Sequence, residues 1–226
     1  MKQIEERMKE VYEEVRQYSP YPEKVKVIAV SKYLNAEEML PYLETGIVTL
    51  GENRAQVIQE KYELLSSYPF AKSLEWHFIG NLQKNKVKYI VDKVAMIHSV
   101  NKLSLAEEIN KKMGSLNRKM PVLIEVNVSG EESKEGYDVL EAEQDIPALL
   151  KLENIRICGL MTMAPFTEDA EEQRKVFRKL RTLKEEWNKK YFQDKLTELS
   201  MGMSNDYKIA LQEGATMIRL GRKIFY

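Results

Sequence analysis

The chain has 226 residues, of which 43% are hydrophobic, and its 35 basic residues balance 35 acidic ones. This length suits one large domain or two small ones, and the apolar content is sufficient for a substantial core. The charge balance argues against a protein dedicated to nucleic acid or to a membrane surface, because both kinds of binding depend on a positive field.

Targeting signals and disulfides are not expected either. No apolar run approaches the roughly 18 residues of a membrane span. The N-terminal stretch MKQIEERMKEVYEEV is charged and amphipathic, so we do not expect a signal peptide. The single cysteine, Cys158, excludes an internal disulfide and is typical of a reducing compartment. Its apolar surroundings favour a buried structural thiol over a reactive one. We therefore predict a soluble, cytoplasmic protein.

Hydrophobic periodicity predicts helices and strands in alternation along the chain. The predicted strands are 24–30, 47–50, 75–80, 95–100, 120–128, 155–163, 198–204 and 216–221. The predicted helices are 2–17, 36–46, 53–65, 84–94, 102–113, about 137–150, 169–191 and 206–214. Within them, Asn53 is predicted to cap its helix, and Pro41 to lie in a loose or kinked turn.

Eight β/α units without tight hairpin turns predict a parallel sheet, and eight is the number that closes a barrel. We therefore predict an α/β fold, a single (β/α)₈ TIM barrel with an extra N-terminal helix, as one domain over 1–226. A doubly wound open sheet is the alternative, but no Gly-x-Gly-x-x-Gly follows any predicted strand.

In such a barrel the carboxyl ends of the strands form one face, where active sites are built. The loops after the last two strands, SMGMSND and RLGR, supply Ser204 and Gly221, which suit an anion because small residues let backbone N–H groups approach it. Taken separately, Ser204 could be only a helix cap and Gly221 only a turn residue. Their coincidence after strands seven and eight favours a phosphate site.

Lys32 directly follows the first strand, where its amine would face the mouth of the barrel. The structural alternative is a stem that packs on an apolar wall with the ammonium in water. The functional interpretation is a desolvated amine that forms a Schiff base with an aldehyde. With a phosphate site opposite, pyridoxal 5'-phosphate (PLP) fits both ends, and Arg219 would lie near the pyridine nitrogen. A Schiff-base aldolase acting on a phosphorylated sugar remains an alternative.

Seven motifs resemble one known family in order and spacing: VIAVSK, GENRAQ, WHFIGNLQKNK, IHSV, GLMTM, LSMGMSND and IRLG. The chain is similar over essentially its whole length to the pyridoxal phosphate homeostasis protein family (YggS/PROSC-like proteins), which is related to the N-terminal domain of alanine racemase. The resemblance implies PLP as a Schiff base on Lys32. It further implies phosphate contacts from Ser204, Gly221 and the Arg222 backbone, Arg219 near the pyridine nitrogen, and Asn53 and Met201 along the ring.

The resemblance implies a binding protein for vitamin B6 and amino-acid homeostasis, without catalytic residues and monomeric by default. The chain departs from the family pattern at Arg222, where family members commonly have a small hydroxyl residue. The second domain of alanine racemase is not expected after the last strand, so a racemase-type enzyme is only the alternative. Tyr33 and Tyr207 are expected to be structural or surface residues. PLP-dependent apo-enzymes are the expected partners, and no nucleic acid, membrane or metal is expected.

Overall fold

The computed structural model describes residues 2–131 and 135–226, and its eight parallel strands form a closed barrel. Each strand pairs with the next one in the chain, and the last pairs with the first. Strands β1 to β8 are Lys26–Val30, Thr49–Glu52, Glu75–Phe78, Met96–Val100, Met120–Glu125, Ile155–Met161, Glu198–Met203 and Met217–Leu220. Helices α1 to α8 are Lys2–Tyr18, Ala36–Leu43, Ala55–Leu65, Leu103–Ser115, Val139–Leu149, Ala170–Trp187, Tyr207–Gln212 and Arg222–Phe225. The predicted barrel with its extra N-terminal helix is confirmed.

Two layers of apolar side chains hold the barrel together. Successive strand residues point alternately into the barrel and out toward the helices, so each strand contributes to both layers. The outer layer is the larger one and lies between the sheet and the helices. The inner layer is a small cluster of Ile28, Met96, Leu123, Cys158, Met161 and Met217. Cys158 is therefore a buried structural thiol, as expected, and burial raises its pKa.

Two local predictions near the second strand were wrong. Asn53 does not cap the following helix, because β2 extends to Glu52 and Arg54 occupies the N-cap position without a side-chain cap. Pro41 lies inside α2 rather than in a loose turn. The stabilisation from burying Met39 and Leu43 on the same helix outweighs the cost of the backbone hydrogen bond that proline cannot donate.

The segment predicted as a helix over 84–94 forms a 3₁₀ helix over Lys84–Tyr89 instead. Three apolar side chains of this segment, Val87, Ile90 and Val94, are shielded from water. A 3₁₀ helix is common in short connections, where burial of a few apolar side chains decides the backbone path. The periodicity therefore indicated a helical segment but not the type of helix.

The N-terminal helix packs against the end of the chain. Arg7 donates to the carbonyl oxygens of Ile224 and Tyr226 at 3.2 and 3.1 Å. Glu14 accepts a hydrogen bond from the Tyr207 hydroxyl and pairs with Lys208 at 2.7 Å. These contacts hold α7 and α8, the two helices that follow the last loops of the barrel. Across residues 2–131 and 135–226, no helix has both the length and the apolar character needed to cross a bilayer.

Candidate functional site

A cavity of about 560 Å³ opens at the carboxyl ends of the strands. This is the face on which barrels build their sites. Three basic residues predicted from the sequence, Lys32, Arg219 and Arg222, line the same cavity, together with Asn53, Ser204 and Gly221. The other lining residues are Val30, Tyr33, Ile79, Gly80, Asn81, Glu125, Glu135, Met163, Phe166, Met203 and Asn205. Six of the seven predicted site residues are therefore brought together.

Met201 is the predicted site residue that the fold does not bring to the cavity. Its side chain is completely buried in the outer layer, in the same cluster as Ala210 and Leu211 of α7. The preceding residue, Ser200, points into the barrel instead, as strand alternation requires. Met163 and Met203 line the cavity and were not predicted as site residues.

Lys32 stands at the rim of the cavity, immediately after β1. Its side chain is exposed, and Nζ lies 4.8 Å from the centre of the Tyr33 ring. The desolvated environment expected for its amine is therefore not found, because the side chain is exposed. Lys32 is accessible to a ligand that enters the cavity from the mouth.

A buried ion pair supports the backbone beneath Lys32. Lys61 of α3 contacts Glu52 Oε1 and donates to the Ser31 carbonyl oxygen at 2.8 Å. The Ser31 hydroxyl donates to the same Glu52 oxygen at 2.8 Å. Lys61 and Glu52 have side-chain exposures of 4% and 0%, so this pair is fully desolvated. It anchors the residue that precedes Lys32 to both β2 and α3.

Sequence reasoning did not identify Lys61 as a candidate, although a signal existed. Lys61 lies between Ile58 and Leu65 on the apolar face of α3, and all three residues are buried. A lysine on the buried stripe of an amphipathic helix needs a partner, because isolated buried charge is costly. Its partner, Glu52, is the last residue of β2, which ends two residues later than the predicted strand 47–50.

Asn53 and Gly80 bring the ends of β2 and β3 into close contact at the cavity. A Cβ atom on Gly80 would lie 2.3 Å from the Asn53 carbonyl oxygen and 2.6 Å from its Cα. Only glycine permits this approach, which explains the glycine in HFIGN. The neighbouring Asn81 donates to Glu135 at 2.7 Å across the mouth.

Ser204, Gly221 and Arg222 lie together at the other side of the mouth. The Ser204 hydroxyl oxygen accepts from the Lys223 backbone N–H at 3.4 Å, so it links the two loops. Ser204 does not cap α7, because Asp206 precedes that helix and its carboxylate accepts from Met203 N. Arg222 donates to Asn205 Oδ1 at 3.0 Å, so its guanidinium is held beside the loop after β7. A Cβ on Gly221 would meet the Val30 carbonyl oxygen at 3.2 Å.

Arg219 is a charged residue buried between the barrel interior and the cavity. It donates to Ser200 Oγ at 2.6 Å and to the Thr162 carbonyl oxygen at 3.1 Å. Burial lowers its pKa to about 10, although the charges of Asp206 and Glu125 oppose this shift. The guanidinium therefore remains protonated at neutral pH.

Glu125, at the end of β5, contributes a buried carboxyl group to the same cavity. Its Oε2 has no hydrogen-bond partner among the described residues. Burial raises its pKa to about 7, although the charge of Arg219 opposes this shift. Sequence alone does not single out Glu125, because local patterns do not show which polar side chains are buried at the cavity or how they are paired.

We expect Glu125→Gln to change the pH dependence of stability. In the unfolded chain the carboxyl group ionises near pH 4.3, whereas in the folded protein it ionises near pH 7. The unfolded state therefore loses the proton first, and the wild type should lose stability between about pH 4.5 and 7. Relative to the wild type, Glu125→Gln should gain roughly 2–3 kcal/mol between pH 4.5 and 8. Urea denaturation at both pH values measures this. The exposed neighbour variant Glu135→Gln should show no such gain, and an equal gain would contradict the assignment.

His77 and His98 form a buried pair inside the barrel. His77 Nδ1 lies 2.8 Å from His98 Nε2, and His98 Nδ1 lies 2.8 Å from Ser200 Oγ. Burial lowers the pKa of His77 to about 4 and that of His98 well below its usual range. Both imidazoles are therefore neutral at pH 7. In the described parts of the chain, no group of three or more His, Cys, Asp or Glu side chains is placed to hold a metal ion.

The two tyrosines near the mouth differ in position. Tyr207 is buried and its hydroxyl contacts Glu14, which places it in the interface with α1. Burial and this acidic partner raise its pKa. Tyr33 is 69% exposed and lines the cavity. Tyr207 is thus a structural residue, while Tyr33 is a surface residue of the mouth.

Comparison with known proteins identifies the family. The family model described as alanine racemase, N-terminal domain, matches residues 5–226. The pyridoxal phosphate homeostasis protein of Aquifex aeolicus is 43% identical over 200 residues, which cover 88% of this chain and 86% of that protein. The protein of the same name from Synechocystis is 36% identical over 215 residues, with 95% and 96% covered. The chain belongs to the pyridoxal phosphate homeostasis protein family.

Solved structures agree with this membership. PipY of Synechococcus elongatus PCC7942, solved without PLP, superposes with a TM-score of 0.89 at 35% identity, covering 99% of this chain and all of that one. PipY with PLP bound gives a TM-score of 0.87 at 34% identity and the same coverage. Alanine racemase of Clostridium difficile 630 shares the fold, with a TM-score of 0.71 at 18% identity. This chain matches 54% of that racemase chain.

Proposed function

We propose that this member of the family binds pyridoxal 5'-phosphate in the cavity at the mouth of the barrel and serves vitamin B6 and amino-acid homeostasis. The observation that carries the proposal is that one cavity of about 560 Å³ is lined by a primary amine, a buried guanidinium and two small-residue loops. PLP offers an aldehyde, a ring nitrogen and a phosphate, and each of these has a matching group in the cavity. PipY with PLP bound supports the same assignment.

Lys32 is the group that would hold the aldehyde. Its exposed side chain would hold the aldehyde carbon of PLP as a Schiff base, with release of one water molecule. The buried Lys61–Glu52 pair fixes the backbone of Ser31, so Lys32 starts from a defined position at the cavity rim. A preorganised attachment point of this kind reduces the conformational entropy that is lost on binding.

Ser204, Gly221 and Arg222 would hold the phosphate. Ser204 offers a hydroxyl group, Gly221 a backbone without a side chain, and Arg222 a guanidinium tethered by Asn205. Guanidinium groups bind phosphate oxygens well because their N–H donors match two oxygens at once. In this chain the Arg222 side chain would take the place of the small hydroxyl residue that is common in the family.

Arg222→Ala should weaken PLP binding about fivefold, because an exposed charge pair contributes roughly 1 kcal/mol. Binding of pyridoxal, which lacks the phosphate, should stay unchanged. Arg222→Thr should recover part of the affinity, since a hydroxyl group can donate to phosphate. Equilibrium dialysis with both ligands measures the difference. An equal loss for pyridoxal would show that Arg222 acts on the loop structure and not on the phosphate.

Arg219 would face the ring nitrogen of PLP. When bound, PLP supplies a conjugated ring that can accept electrons from a substrate carbon, most strongly when its nitrogen is protonated. A permanently charged guanidinium keeps that nitrogen unprotonated, which weakens this capacity. This arrangement favours holding the cofactor over carbanion chemistry, so we propose a binding protein rather than an enzyme.

A racemase-type PLP enzyme is the second candidate, and Glu125 is the observation that favours it. A buried carboxyl group with a pKa near 7 in the same cavity could accept or donate a proton at neutral pH. Sustained turnover of an amino acid by the PLP-loaded protein, lost in Glu125→Gln, would establish this alternative. We expect no such turnover.

The homeostasis role is tested by transfer of PLP to an apo-enzyme. PLP-loaded protein is mixed with a PLP-dependent apo-enzyme, and recovered activity is compared with an equal concentration of free PLP. We expect transfer to proceed, and more slowly than from free PLP, because the cofactor must first leave the cavity. No recovery would contradict a carrier role while leaving binding intact. The monomeric state and the cytoplasmic location stay predictions.

A further inference from the structure

Four buried polar side chains form a continuous path through the barrel that the cofactor contacts do not explain. Arg219 of β8 contacts Ser200 of β7 at 2.6 Å, Ser200 contacts His98 of β4 at 2.8 Å, and His98 contacts His77 of β3 at 2.8 Å. At the far end, His77 Nε2 lies 3.9 Å from a Glu75 carboxylate oxygen. The path runs from the cavity to the start of β3, at the opposite end of the barrel.

The donors and acceptors along this path can be assigned from chemistry. A guanidinium has no acceptor, so Ser200 Oγ must accept the hydrogen bond from Arg219. Each neutral imidazole carries one N–H, so fixing one ring nitrogen fixes the other. Two arrangements are then possible: either the Ser200 hydroxyl donates to His98 Nδ1, or His98 Nδ1 donates to Ser200. The first arrangement places an N–H at His77 Nε2, and the second places a lone pair there.

The environment of His77 Nε2 distinguishes the two arrangements. Nε2 is buried and has no hydrogen-bond partner in the part of the chain that the structure describes. Its charged neighbours are Glu75, at 3.9 Å, and Lys26, which pairs with Glu75 at 2.7 Å. If His98 donated to Ser200, His77 Nε2 would present a lone pair to the Glu75 carboxylate, which is repulsive. If Ser200 donates to His98, Nε2 presents an N–H to that carboxylate, which is attractive.

We propose that Ser200, His98 and His77 form a one-directional hydrogen-bond chain that positions Arg219 at the cavity. Every donor points away from the cavity: Arg219 to Ser200, Ser200 to His98, His98 to His77, and His77 toward Glu75. Since the Thr162 carbonyl oxygen accepts a second hydrogen bond, two anchors fix the guanidinium plane. The lowered pKa of both histidines supports neutral rings. The three residues are positioning residues, and their action on the cofactor rests on the proposed function.

Nuclear magnetic resonance of the ligand-free protein tests the chain without any cofactor. Long-range ¹H–¹⁵N spectra identify which nitrogen of each neutral imidazole carries the proton. We expect the Nε2–H form for both His77 and His98. Ser200→Ala should give a mixture of the two tautomers at His98, because the hydroxyl that donates to Nδ1 is gone. An Nδ1–H form at either ring in the wild type would overturn the proposal.

Absorbance and affinity of the PLP-loaded protein test the positioning of Arg219. Ser200→Ala should shift the visible absorbance maximum and weaken PLP binding about tenfold, as expected for a misplaced charge-assisted hydrogen bond. Ser200→Thr, which keeps the hydroxyl, should restore both. Ser99→Ala is the matched control. Ser99, on β4, is buried like Ser200, but its hydroxyl has no partner among the described residues. Identical spectra for Ser200→Ala and Ser99→Ala would contradict a positioning role.

These readouts separate the two proposals. If no variant and no wild-type sample binds PLP, the proposed function fails, while the imidazole tautomers still decide whether the chain exists. If PLP binds normally but the tautomers differ from those expected, only the chain fails.

Discussion

Lys32→Ala is expected to abolish the visible absorbance that PLP acquires when it forms a Schiff base with the protein. Affinity for PLP should fall roughly a hundredfold, about 2.7 kcal/mol, because the covalent attachment is lost while the phosphate contacts remain. Titration with PLP followed by absorbance and equilibrium dialysis measures both quantities. Borohydride reduction followed by peptide mass analysis locates the modified lysine directly.

The control for this variant is Lys72→Ala, since Lys72 is exposed and lies outside the cavity. It should bind PLP like the wild type. A reduced adduct on a lysine other than Lys32, or full absorbance in Lys32→Ala, would contradict the assignment. Full absorbance would also remove the basis for placing the PLP aldehyde at Lys32.

Lys61→Met is expected to destabilise the fold by about 3 kcal/mol. The substitution leaves the Glu52 carboxylate buried without its cation and leaves the Ser31 carbonyl oxygen without its donor. Breaking one side of a buried pair costs more than the pair contributes, because the remaining charge is desolvated. Urea denaturation at pH 7 measures the loss.

The double variant Lys61→Met/Glu52→Gln is the matched control for this prediction. A neutral glutamine can still accept from the Ser31 hydroxyl, so most of the lost stability should return. If the double variant is as unstable as Lys61→Met alone, the cost comes from packing of the lysine stem rather than from unpaired charge. Both variants should remain folded enough for measurement, because the replacement residues are of similar volume to the residues that they replace.

The barrel could be predicted from the sequence because its determinants are local. Each strand is a short apolar run, each helix has one apolar stripe, and eight such units admit few closed arrangements. Errors occurred where tertiary packing overrides local preference. Pro41 lies within a helix whose neighbours are buried, and the segment over 84–94 buries its apolar face without forming an α-helix.

The candidate site was predictable in outline, because the carboxyl ends of parallel strands converge on one face. That rule brought Lys32, Arg219 and Gly221 together from positions far apart in the chain. It could not decide the direction of Met201, because the side that a strand residue faces depends on register and on the irregular pairing between β7 and β8. It also could not show that the Lys32 amine is exposed at the rim.

The sequence by itself determined the class of fold, the family, and which lysine, arginine and loops lie at the mouth. These follow from periodicity and motifs, which are properties of residues close together in the chain. Only the tertiary structure decided which polar groups are paired and which are not. The Lys61–Glu52 pair and the path from Arg219 to His77 each join residues from different strands or helices, and one Glu125 oxygen has no partner among the described residues. Burial and hydrogen-bond partners depend on distances across the barrel, and local sequence patterns do not specify those distances.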